Sequence, residues 1–260
     1  MVSSHRILFP VDFSRYPFAV STAVGDFIDR PNVEVILMHV IDADWRASGF
    51  ARRIHVLDAL AHRHFSHCAV RRRLDNGTPA DRILEYIRES EVEMVVMPAR
   101  DSGGFRERPL GRVASSVLRE APCPVWLEWR ASAQSTLPAP AARILCAIDA
   151  AEPAEDVLRD AAAVAARLGG ELTILSPGQP HDNRLDKLRR RIAPGARLLP
   201  VSGWNQAVIG QLIREHRPSL LVTGGREPSV LAAEAVCPVL RLPHHTCEGA
   251  GLRAGYRRVA

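Results

Sequence analysis

The densest run of residues able to do chemistry is PARDSGGFRERPLGR, residues 98–112. Arg100, Arg106, Arg108 and Arg112 accompany Gly103, Gly104 and Gly111, against two acids, Asp101 and Glu107. Arginines and flexible backbone just ahead of a helix start can gather an anion, because unpaired N–H groups converge there. A solvated basic loop over a helix start is the alternative reading. Asp12 and Asp149 each follow an apolar strand-like run, where a carboxylate can cap the next helix or meet a ligand. His55, His62, His64, His67 and Cys68 form the other cluster, and His64 with His67 or Cys68 has a spacing that a metal could use. A solvated helix face running into a strand accounts for them as well, and no metal is expected.

Several chemistries are excluded. The chain has no GxxxxGK[ST] phosphate loop, and Lys187 is its one lysine among 34 basic residues. HxGH and SGGxDS adenylation signatures are missing, since Ser102-Gly103-Gly104 continues as Phe105-Arg106-Glu107. No catalytic residue is assigned, and no enzyme is expected. The five cysteines include no CxxC pair and read as reduced thiols. The net charge of +5 could suit a polyanion, yet no nucleic-acid-binding motif appears, so nucleic acid is not an expected partner. No apolar run reaches the roughly 18 residues of a membrane span, and the opening MVSSHRILFP has no signal-peptide core; a cytoplasmic location is expected.

The elements that must position these residues follow from periodicity. RILFPVDFS (6–14), VEVILMHVI (33–41), residues 68–74, EMVVMPA (93–99) and CPVWLEW (123–129) read as strands. Between them, helices are predicted to end near residue 30, to cover 47–65, to follow the turn and proline that open segment 75–90, and to cover 109–121. Parallel neighbours need crossovers, and the crossovers cover the sheet, so the fold class is doubly wound α/β.

A Ser/Ala/Pro-rich stretch, residues 131–142, interrupts the pattern as a linker would. The pattern then restarts: residues 143–177 repeat strand, acidic turn, helix and strand, and APCPVWL is answered by AVCPVLRL. A helix at 182–192, a strand at 197–202, a helix at 205–216, a strand at 219–225, a short helix and a last strand at 236–243 complete the second copy. Domains at 1–130 and 143–243, with a tail at 244–260, are expected, each a five-stranded, mostly parallel sheet flanked by helices.

ILFPVDFS, LMHV, GTPADRIL and LGRVASSVLREAPCPVWL, in that order and spacing, resemble the universal stress protein family over residues 5–129. The second half resembles it more loosely, through ILCAID, LLVTGG and AVCPVLRL. The resemblance implies an adenine site at Pro10, Asp12 and Val40, and a phosphate loop of pattern G-x-x-G-x9-G-[ST]. Those four loop positions fall on Pro98, Asp101, Gly111 and Arg112, so one of four is kept. Proline has no N–H to offer and aspartate repels a polyphosphate, which predicts weak or lost ATP binding in the first half. In the second half 13 residues separate Thr223 from Cys237, against 25 between Met97 and Cys123, so the loop is deleted and no ATP is expected there.

The function this implies is a non-enzymatic stress response protein acting on an unknown protein partner. The alternative is a nucleotide-binding sensor or slow ATP hydrolase using the first half. Family dimers pair through their last strands. An intramolecular pseudo-dimer is therefore expected, with homodimerisation possible, and Val125, Leu127, Val239 and Leu240 at the contact.

Overall fold

The computed structural model describes residues 5–13, 22–29, 32–41, 49–99, 110–128, 142–148, 154–177, 183–201, 205–224, 235 and 237–243. In the first half β1 (His5–Pro10), β2 (Val33–Ile41), β3 (Ala69–Asn76), β4 (Val92–Pro98) and β5 (Val125–Glu128) alternate with α1 (Thr22–Ile28), α2 (Phe50–His64), α3 (Pro79–Glu89) and α4 (Arg112–Glu120). The second half runs β6 (Arg143–Ala147), α5 (Ala154–Arg167), β7 (Glu171–Pro177), α6 (Asn183–Ile192), β8 (Arg197–Val201), α7 (Gln206–His216), β9 (Leu220–Thr223) and β10 (Val239–Arg241).

The strands are apolar on both faces because helices cover both faces. Along β1, Ile7 and Phe9 point to one side and Leu8 to the other, as a period of two requires. Val24 and Phe27 of α1, Leu57 and Ala61 of α2, Val157 and Leu158 of α5 and Leu185 of α6 fill the first side. Ile83 and Ile87 of α3, Val117 and Leu118 of α4 and Ile209 and Ile213 of α7 fill the second. Helix entry follows local chemistry. Gly77, at φ +132, turns β3 towards α3 and donates its N–H to the Ile41 carbonyl at 3.1 Å, and Pro79 then opens the helix. Asn205 Oδ1 caps α7 by accepting from the Val208 N–H at 3.0 Å.

The strand order is β3-β2-β1-β4-β5-β10-β9-β6-β7-β8, the same order in each half read inwards from the outer edges. All pairings are parallel except β5 with β10, where Val239 faces Leu127, Leu240 faces Trp126 and Arg241 faces Val125. The expected separate sheets are thereby corrected: pairing of the last strands merges them into one ten-stranded sheet. Neither last strand keeps an open edge, so its N–H and C=O groups are satisfied within the chain. The four side chains expected at this seam are fully buried.

A smaller correction concerns β3. The predicted turn at Asp75 and Asn76 is strand, because these residues pair with Val40 and Ile41. The linker up to residue 141, the helix between β9 and β10 and the tail after residue 243 lie outside the described residues.

Candidate functional site

The sheet order reverses at β1, whose chain neighbour β2 lies on one side and β4 on the other. In open α/β sheets such a reversal leaves a crevice beyond the strand ends. Pro10 closes β1 there, buried, and the Val11 N–H donates to the Met38 carbonyl at 2.7 Å, carrying the pairing one step further. Asp12 follows and is exposed. Val40 lies half-buried near the end of β2, packed with the α3 and α4 side of the core.

Across the crevice, β4 ends at Pro98, which is exposed, and the Ala99 N–H donates to the Glu128 carbonyl at 2.9 Å. Gly111 donates its N–H to the Ala99 carbonyl at 3.1 Å and stands at the N-cap of α4 in extended conformation, φ −66 and ψ 152. That bond pins the start of α4 against the end of β4. Without a side chain Gly111 cannot cap, so the first N–H groups of α4 have no partner from it. Arg112, the first helical residue, is exposed. The fold therefore brings Pro10, Asp12, Val40, Gly111 and Arg112 to one edge of the first half. Asp101 and the arginines at 100, 106 and 108 lie outside the described residues.

Sequence reasoning missed His39 at this edge. Its Nδ1–H donates to the Val11 carbonyl at 2.8 Å, and its ring stacks on Phe13 with centroids 3.9 Å apart. Burial holds the imidazole below its ordinary range; the Val11 bond and Asp12 oppose this, and Arg53 assists it. The available signal was a polar ring inside the apolar run VEVILMHVI.

The second half has a different crevice. Ala147 and Ile148 replace Pro10 and Val11, with the Ile148 N–H donating to Leu175 at 3.2 Å, and Ser176 stands where His39 does. Gly224, the counterpart of Pro98, packs so tightly on α5 that a Cβ would lie 2.3 Å from Val157 Cγ2. Its missing side chain is explained by that contact, with no phosphate needed. Asp149 lies outside the described residues. Since the two halves meet through antiparallel strands, their crevices open at opposite edges of the sheet.

His55, His62 and His67 are exposed, while His64 is held below its ordinary range by burial and then by Arg63. Burial, then Asp29, pushes the Cys68 thiol up. Among the described residues no three His, Cys, Asp or Glu side chains gather as a metal would require.

Residues 3–127 match the universal stress protein family. Over those residues the chain belongs to that family. No curated protein matches the chain. A universal stress protein from Archaeoglobus fulgidus, 19% identical, covers 93% of this chain with 97% of its own, at a TM-score of 0.67. A functionally unknown protein from Pseudomonas aeruginosa follows at 13% identity and TM-score 0.64, covering 93% of each chain. The cytoplasmic domain of a prokaryotic cation chloride cotransporter is similar at 13% identity and TM-score 0.52, over 93% of this chain and 96% of that one. At these identities the likeness is one of fold. It spans both halves, so the second half shares the fold of the first. No described helix is long and apolar enough to cross a membrane.

Proposed function

We propose that this universal stress protein is a non-enzymatic, cytoplasmic stress response protein that acts by binding a protein partner, with ATP binding weak or lost. The observation that carries the reading is the exit of β4. Pro98 stands where the family's first phosphate-loop glycine would be and has no N–H to donate, so a polyphosphate would lose one backbone donor there. Gly111 alone keeps its place, at the uncapped start of α4. In the second half, tight packing of Gly224 on Val157 supports the absence of a nucleotide there.

A nucleotide-binding sensor or slow hydrolase is the second reading. Its support is the juxtaposition of Pro10, Asp12, Val40 and the α4 terminus, which Gly111 leaves without a side-chain cap, at one edge. Calorimetry with MgATP separates the two. Little heat is expected at about 100 µM protein, with a dissociation constant no tighter than about 0.1 mM, or about 5.5 kcal/mol. Asp12→Ala should abolish any residual affinity and Asp149→Ala should not change it. A micromolar constant would overturn the reading and move the anion site to the arginines of residues 100–112.

A further inference from the structure

Among the described residues two large apolar side chains are exposed, Phe50 at 44% and Val56 at 39%, and both belong to α2. The helix buries Leu57 and Ala61 against the sheet. A shallow groove of about 630 Å³ runs along its exposed side, lined by Ala51, Arg52, His55, Val56, Ala59 and Arg63 and by the half-buried Leu60, which also packs on the core. Arg52, Val56, Ala59 and Arg63 follow one another at intervals of four, three and four residues. That is the spacing of a seam that meets another helix. At 1.5 Å per residue, the two arginines stand about 16 Å apart along the axis, roughly three turns.

The fold supplies its own control. In the second half α6 occupies the corresponding place after the second strand. It turns Leu185, Leu188 and Ile192 inwards. Its exposed arginines are paired: Arg190 with the half-buried Asp186, and Arg191 with Glu155 of α5. An apolar strip at this place is therefore not something the architecture demands. The arginines differ as well. On neighbouring β3, Arg71, Arg72 and Arg73 pair with Glu34, Asp58 and Asp75, whereas Arg52 and Arg63 make no ion pair among the described residues.

We propose that the outer face of α2 is the surface on which this protein binds its partner, and that the partner presents an acidic amphipathic helix. Apolar side chains of that helix cover Val56, Ala59 and Leu60, the small Ala59 admitting close approach. Carboxylates about three turns apart reach Arg52 and Arg63 as charge-assisted, often bidentate, pairs. A second copy of the chain fits poorly, because a two-fold contact of this face with itself sets arginine against arginine. A bilayer fits poorly too. Interfacial helices carry their cations on the polar side, whereas these arginines lie in line with the apolar residues. The inference rests on the partner-binding reading above. Failure here removes the surface alone, while that reading stands or falls with the ATP calorimetry.

The test uses the full chain and fluorescence anisotropy of a labelled helical peptide with leucines at coiled-coil spacing and glutamates beside them. The glutamate peptide should bind with a dissociation constant on the order of 10–100 µM, and the same peptide with lysines should bind at least about tenfold more weakly. Val56→Asp, and separately Arg52→Glu with Arg63→Glu, should each weaken the glutamate peptide about tenfold or more, while Arg190→Glu on α6 should leave it unchanged. All four positions are exposed, and circular dichroism checks that each variant stays folded. Absence of binding, or equal binding by Val56→Asp, overturns the proposal. So does loss of a dimer in Val56→Asp by light scattering, which gives the face to a second copy. Adsorption to phosphatidylserine vesicles that both variants abolish, without peptide binding, gives it to a membrane and overturns it equally.

Discussion

Replacing Gly224 by alanine places a methyl group 2.3 Å from Val157 Cγ2, 2.7 Å from Cγ1 and 3.1 Å from Cβ. Carbon atoms rest at about 3.5–4.0 Å, so two of these contacts are too short by more than 0.5 Å. Val157 cannot swing aside. It is β-branched within a helix, where one rotamer dominates, and it is 2% exposed. The strand cannot retreat either, because the Leu242 N–H holds the Thr223 carbonyl at 2.8 Å. Overpacking of this kind costs about 1–3 kcal/mol, and the fixed surroundings put Gly224→Ala near the upper end. Val157→Ala alone forfeits two buried methyls, about 2 kcal/mol. The double variant lets the new methyl occupy the vacated space. It should therefore cost about 2 kcal/mol in total instead of about 5, a coupling of some 2–3 kcal/mol. Urea unfolding followed by tryptophan fluorescence measures all four proteins, with midpoints compared at constant slope. Simple additivity would refute the packing account, and would mean that Gly224 is needed for its backbone or for a ligand.

Arg241 is buried at the seam and donates to the Ala121 carbonyl at 2.6 Å and the Cys123 carbonyl at 3.3 Å. Arg241→Met should cost about 1.5–3 kcal/mol by removing a charged donor from buried acceptors, and an unchanged thermal midpoint would contradict this. His39 has a lowered pKa in the folded protein, so the unfolded chain takes up the proton first on acidification. Its contribution is therefore fully present above the unfolded value of about 6.5 and is lost as pH falls through the lower folded value. His39→Gln, which can still donate to Val11, should flatten stability against pH between about 7.5 and 5. An identical slope in the variant would show that other groups carry the dependence.

Much of the molecule was legible in order of residues alone. The apolar runs RILFP and VEVILMHVI, the helical spacing of Ile83, Leu84 and Ile87 and the paired CPV landmarks are local signals, carried by residues close together in the chain. They determined the doubly wound class, the repeat and the strands that meet at the seam. What depends on atoms far apart in the chain was not legible. Asp75 and Asn76 look like a turn and become strand because Val40 and Ile41 extend alongside them. Two sheets become one because β5 and β10 can satisfy each other's backbone, and only then do Trp126 and Arg241 acquire partners across the seam. At the candidate site the sequence fixes residue types, Pro98 without an N–H and Gly111 without a cap. The tertiary structure alone decided that Gly111 is tied to the end of β4 and that Gly224 answers to Val157. It alone decided that α2, unlike α6, turns Val56 towards solvent between arginines that make no ion pair among the described residues, because exposure depends on which face of a helix the rest of the fold covers.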